Sequence, residues 1–131
     1  MTAKSKADIY KFIYISLTLL LLVQLVDFLV RDNLRFSLNQ QLFFGLIGNN
    51  LIAYAIVIPV LTIIIYLFVK KIIGIEACLI VTGLVSNIFD RIFYGGVVDY
   101  FSIFFIPKFN LADILIITGS LILVYKIIKT I

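Results

Sequence analysis

The chain has 131 residues, 63% of them hydrophobic and only 14% charged, with a mean hydropathy of +1.21. An ordinary soluble domain is excluded, since such domains carry roughly 25% charged and about 45–50% apolar residues and one small core cannot hide the excess. Disorder is excluded by the same count, and a disulfide scaffold by the single cysteine, Cys78.

Histidine is absent, which removes the commonest ligand of zinc and non-haem iron sites, so no metal or other cofactor is expected. Eleven basic against seven acidic residues give a net charge of +4. In a soluble protein that excess would suggest nucleic acid. Here the basic positions follow the membrane instead, and no nucleic-acid partner is expected.

A bilayer core ~30 Å thick takes about 20 helical residues to cross, and four apolar runs of that size follow in chain order. The first predicted helix covers about 9–30, with Lys11 near its start and Asp27 near its end. It is too long for a secretory signal and no small-residue cleavage site follows it. The second covers about 51–69 and ends at Lys70 and Lys71; Pro59 inside it is tolerable because neighbouring helices compensate for the lost bond. The third covers about 73–92 and the fourth about 111–128. Lys4, Lys6, Lys11, Lys70, Lys71, Lys126 and Lys129 fall on one side of these crossings, and Arg31, Arg35, Arg91 and Lys108 on the other. By the positive-inside rule both termini and the short turn after Lys71 are cytoplasmic. The fold class is therefore an all-α integral membrane protein of four transmembrane helices, read as one domain over 1–131. Its two long outward connections lie at about 31–50 and 93–110, and connections of that length are usually functional. The stretch 37–48 (SLNQQLFFGLIG) fits short strands or a surface-lying segment, between which periodicity does not choose.

An ionisable side chain near the bilayer centre costs ~2.5–3.5 kcal/mol, so each acid in a spanning segment is a functional candidate. Asp8, Asp32 and Glu76 read as solvated or helix-dipole-favoured charges at boundaries. Asp27, Asp90, Asp99 and Asp113 all fall near the outer ends of helices and converge on one depth. Asp27 and Arg31 are four apart and share a helical face, which fits a boundary salt bridge. Asn87, Asp90 and Arg91 share a face inside an apolar helix, where each needs a polar partner. Asn110 with Asp113 three residues later is an ordinary helix start, and Asp99 after Gly95 and Gly96 fits a turn aspartate equally well. As a pair, Asp99 and Asp113 have a further reading. Like charges held close cannot both ionise, so a dyad holds one proton near neutral pH and performs acid–base hydrolysis without a metal.

The run GLVSNIFDRIFYGGVVDYFSIFFIPKFNLADILIITG (83–119) closely resembles the bacterial lipoprotein signal peptidases, or signal peptidase II. The residues that carry the resemblance are Gly83, Asn87, Asp90, Arg91, Gly95, Val97, Asp99, Phe109, Asn110, Ala112, Asp113 and Gly119. Weaker similarity reaches back to Asp27 and to Asn39 with Phe44 and Gly45. Arg31 stands where the family has Lys, Gln41 where it has Gly, Phe43 where a small residue is usual, and Ser86 where it has Gly. The connection between Asp99 and Asp113 is short beside typical members.

The resemblance implies a membrane aspartic endopeptidase of the bacterial cytoplasmic membrane. It would remove signal peptides from diacylglyceryl-modified prolipoproteins just before the lipidated cysteine, at the outer face. It implies Asp99 and Asp113 as the catalytic dyad, with Asn87, Asp90, Arg91 and Asn110 orienting it. Asn39 and Arg91 would contact the substrate backbone, and Asp27 with Arg31 would brace the end of the first helix. Membrane lipid and globomycin-type inhibitors are the other expected partners, and a monomer is expected. A four-helix small multidrug-type transporter is the alternative, but it would place its essential acid mid-way along the first helix and would leave the later acids unexplained. A noncatalytic membrane subunit would need no second carboxylate.

Overall fold

Four helices form where the apolar runs predict them: α1 (Ala3–Asn33), α2 (Asn50–Val69), α3 (Ile75–Tyr94) and α4 (Leu111–Thr130). The computed structural model describes residues 3–33, 35–40 and 48–131. Gln41, Phe43, Phe44 and Gly45, together with the Lys4 side chain, lie outside the described residues. All four helices are long and apolar enough to cross a membrane, and the chain is an all-α membrane protein with small strands at one end. The first helix begins six residues earlier than predicted and the third begins and ends two residues later, because α1 runs on through its polar lysine-bearing start and Gly74 caps α3.

The third helix is the axis of the bundle. Some 61% of its apolar window is buried, against 17%, 17% and 11% for the other three, so α1, α2 and α4 pack around it and present apolar side chains outward. Small residues on α3 let the neighbours come close, the usual device where lipid gives no hydrophobic drive between helices. Gly83 and Gly119 mark the tightest approach between α3 and α4. A Cβ on Gly83 would stand 2.5 Å from the Ala112 carbonyl oxygen, and one on Gly119 would stand 2.8 Å from that of Glu76. Cys78 is free and buried in α3, as its apolar surroundings predict.

The helices bring the basic segments together as the sequence implies. Asp8 of α1 pairs with Lys71 in the turn after α2 at 3.8 Å, and Phe12 stacks on Phe68 with ring centroids 4.1 Å apart. Lys126 near the end of α4 pairs with Glu76 at the start of α3 at 2.6 Å. This last contact decides between the two readings of Glu76. Glu76 is not a solvated charge: it is 1% exposed, accepts a hydrogen bond from the Gly74 amide at 3.0 Å and sits in the first turn of α3, where the helix dipole favours an acid.

At the opposite end the two long connections interlock. β1 (Ser37–Asn39), within the stretch that fits strands, pairs antiparallel with β2 (Val97–Asp99), with Leu38 opposite Val98. β3 (Phe101–Ile103) and β4 (Ile106–Phe109) form a hairpin. That hairpin was not predicted, because its apolar run reads as helix or strand alike. Gly95 ends α3 in the left-handed region at φ 79°, a conformation that costs glycine no Cβ clash and turns the chain into β2.

Removing the Lys126 ammonium would leave a buried carboxylate without its cation. K126M is therefore expected to lower the thermal midpoint in detergent by about 5 °C or more, and the double variant K126M/E76Q to recover most of that loss.

Candidate active site

Helix α4 starts with a capping box. Asn110 has extended backbone angles and its side chain accepts the Asp113 amide at 2.8 Å, while the Asp113 Oδ2 accepts the Asn110 amide at 3.1 Å. The helix-start reading of Asp113 is thus correct, and the same contacts aim its other oxygen at α3. There Oδ1 accepts Asn87 Nδ2 at 3.1 Å. Asn87 Oδ1 in turn accepts Asn110 Nδ2 at 3.0 Å, closing a ring of three residues whose Asn110–Asp113 links run through the backbone amides. One turn further along α3, Arg91 Nη1 donates to the Asn87 carbonyl at 3.2 Å.

Asp99 reaches the same place from β2. Asn39 pairs with Val97, and Asp99 lies two residues beyond on the same face, the diagonal spacing at which side chains touch across strands. Asn39 Nδ2 donates to Asp99 Oδ2 at 3.1 Å, whereas Asp99 Oδ1 has no hydrogen-bond partner among the described residues. The strand is held down by Asp90, whose Oδ2 accepts the Val98 amide at 3.1 Å and whose Oδ1 accepts Gln24 Nε2 at 3.0 Å. Gln24 also donates to Ser86 Oγ at 2.9 Å, so the hydroxyl that replaces a family glycine has a bond of its own and ties α3 to α1.

Burial, reinforced by repulsion from Asp113, pushes the Asp99 carboxyl up to about 7; the Asn39 hydrogen bond and the Arg91 charge act the other way. Both carboxylates open onto one cavity of ≈ 320 Å³. Asn39, Arg91 and Lys108 complete its polar side, and Ile56, Val57 and Val60 of α2 face Leu84, Ile116 and Ile117 across its apolar side. The volume is at the low end for a small-molecule site, and the apolar walls belong to helices that cross the membrane.

The sequence-predicted residues thus assemble, with one correction. Asn39, Asn87, Asp90, Arg91, Asp99, Asn110 and Asp113 form one connected site, but Asp27 and Arg31 do not pair. Arg31 lies over the Tyr94 ring, 3.8 Å from its centroid, which is a favourable seat for a guanidinium. Asp27 is fully buried, and the charges of Asp90, Asp99 and Asp113 all act on it. Sequence reasoning missed Gln24, Tyr100, whose hydroxyl accepts the Leu111 amide at 3.2 Å at the start of α4, and the cavity position of Lys108. Gln24 had a visible signal, being a polar residue in the apolar run LLVQLVDF, one turn before Asp27. Tyr100 had none, since a tyrosine beside a strand is ordinary.

The model of the family described as Signal peptidase (SPase) II matches residues 7–129. The chain belongs to the signal peptidase II family. A lipoprotein signal peptidase of Wigglesworthia glossinidia brevipalpis is 38% identical over 88 residues, covering 60% of this chain and 58% of that protein. The chain thus spans less than two thirds of that relative's length. One from Clostridium novyi is 30% identical over 102 residues, covering 70% and 69% respectively. A bacterial membrane enzyme solved by the in meso method at 2.3 Å superposes with a TM-score of 0.82 over 92% of this chain and 89% of that one; at 20% identity it supports the fold alone. Signal peptidase II membership, with four apolar helices, makes this a multi-pass bacterial membrane protein, and the transporter alternative is set aside.

The Asp99 carboxyl gives this signal peptidase II chain a pH signature. Folded, it keeps its proton to about 7, against an ordinary 3.8, so the folded state binds more protons between those values. The stability tied to that proton is complete below about pH 4 and is lost as pH rises through about 7. Thermal midpoints of D99N and wild type are therefore expected to diverge in favour of D99N from about pH 4 to about pH 7 and run parallel above it. Parallel curves throughout would reject the raised value.

Proposed function

We propose that the chain is a membrane aspartic endopeptidase that cleaves signal peptides from diacylglyceryl-modified prolipoproteins just before the lipidated cysteine. The observation that carries this reading is the shared cavity: two carboxyls from different elements face it, one of them holding a proton to about 7, and an apolar side formed by α2, α3 and α4 lies against its polar one. A peptide bond next to a lipidated residue needs both surfaces at once.

In the resting dyad Asp99 carries the shared proton. Asp113, oriented on both oxygens by Asn87 and Asn110, takes a proton from water as that water attacks the scissile carbonyl. The Asp99 proton passes to the developing oxyanion. Asp113 then gives its proton to the leaving amine, the C–N bond breaks, and a hydroxyl of the tetrahedral diol returns its proton to Asp99 as the new carboxyl forms, so the dyad ends with one proton. Arg91 and Lys108, which line the same cavity, supply positive charge where the oxyanion forms. Asn39 orients Asp99 and stands where a substrate backbone would run.

The lysine-rich end faces the cytoplasm by the positive-inside rule, which puts both termini inside and the dyad at the outer face of the cytoplasmic membrane. A substrate anchored by diacylglycerol then arrives sideways through the lipid, along the apolar walls of α2 and α4. Globomycin, the cyclic peptide inhibitor expected from the family resemblance, would occupy the same cavity.

D99N and D113N are each expected to abolish cleavage of a diacylglyceryl-modified lipobox peptide, by about 10³-fold or more, while folding and membrane insertion persist. Wild type is expected to leave the unmodified peptide intact. Near-normal turnover by either variant would remove the dyad, and equal cleavage of both peptides would remove the lipid requirement.

A further inference from the structure

Asp27 is fully buried, and among the described residues neither of its oxygens has a hydrogen-bond partner of good geometry. An orphaned carboxyl in that position is expensive, and Arg31, four residues on, is engaged with Tyr94. The Tyr100 hydroxyl lies close enough to Asp27 to act on it as a hydrogen-bonding group, although no bond of good geometry closes between them. That hydroxyl is already an acceptor: the Leu111 amide donates to it at 3.2 Å. Its one proton is not used there and is available to Asp27.

Leu111 opens α4. The first amides of a helix have no partner within it. Asn110 serves the Asp113 amide, and Tyr100 serves that of Leu111. Tyr100 itself is pinned, because its amide donates to the Phe109 carbonyl at 3.1 Å at the base of the hairpin and its ring packs on Phe101 at 4.8 Å. Phenylalanine would fill the same space but would leave both the Leu111 amide and the Asp27 carboxyl without this oxygen. Burial and the Asp27 charge both push the Tyr100 hydroxyl above its usual value, so it stays a donor at any working pH.

We propose that Tyr100 is a positioning residue for Asp113: its hydroxyl ties Asp27 on α1 to the first amide of α4 and so fixes the helix turn that carries Asp113 into the cavity. The inference rests on the dyad reading above and adds a residue to it. Tyr100 is not among the residues that line the cavity. It acts through the placement of a carboxyl two residues beyond the amide it holds, and small errors in such placement cost turnover rather than binding.

The test is steady-state cleavage of the modified lipobox peptide by wild type, Y100F, D27L, D27N and the double variant Y100F/D27L. Y100F is expected to lower kcat about tenfold and to change KM by less than about twofold. D27N keeps a carbonyl that can accept the hydroxyl proton and is expected to retain more kcat than D27L. Two groups acting through one bridge are coupled, so the double variant is expected to be about as slow as the slower single one. A wild-type kcat in Y100F, or losses that multiply in the double variant, would overturn the proposal. Turnover by D99N would instead overturn the dyad itself, so the two failures are separable.

Discussion

A carboxylate at the end of an apolar bundle is stable only where N–H groups meet its oxygens, because desolvation without such partners costs several kcal/mol. Nearly every polar contact in this site answers that constraint. Asn87 and the Asn110 amide serve Asp113, Asn39 serves one oxygen of Asp99, and Gln24 with the Val98 amide serves Asp90. Asn87 and Asp90 are three residues apart on α3, so a single helical face organises both the start of α4 and the strand that carries Asp99. The close approach at Gly83 brings the Ala112 backbone against α3, and that closeness lets a side chain as short as asparagine reach across.

Among the described residues two buried carboxyls depart from full satisfaction, Asp27 and Asp99. Asp99 keeps one oxygen without a protein partner while buried beside another carboxyl. Asp90 has both oxygens occupied, and so does Asp113, whereas Asp99 keeps one open toward the cavity. Burial alone does not distinguish Asp90 from Asp99, since Asp90 is 0% and Asp99 3% exposed.

Much of this was legible in the residues. Four runs of suitable length bounded by lysines predict the helices to within a few positions at most ends, and the order of Asn87, Asp90, Asp99, Asn110 and Asp113 carries the family likeness. Contacts chosen by geometry rather than by residue type were not legible. Helical spacing allows Asp27 to pair with Arg31, but a nearby tyrosine ring offers the guanidinium a better seat. Boundary position allows Glu76 to be solvated, but Lys126 comes from fifty residues away to cover it. The hairpin of β3 and β4 was hidden because a short apolar run carries no periodicity that distinguishes strand from buried helix.

The capping box at Asn110 has one more consequence. Helix ends are where a fold opens first and most often, yet here the first turn of α4 holds Asp113 by the same two bonds that start the helix. Fraying of that turn would release the carboxyl and the Asn87 contact together. Local order at one helix terminus and readiness for chemistry are therefore a single equilibrium, and heat or detergent that loosens this turn would silence the site well before the bundle itself comes apart.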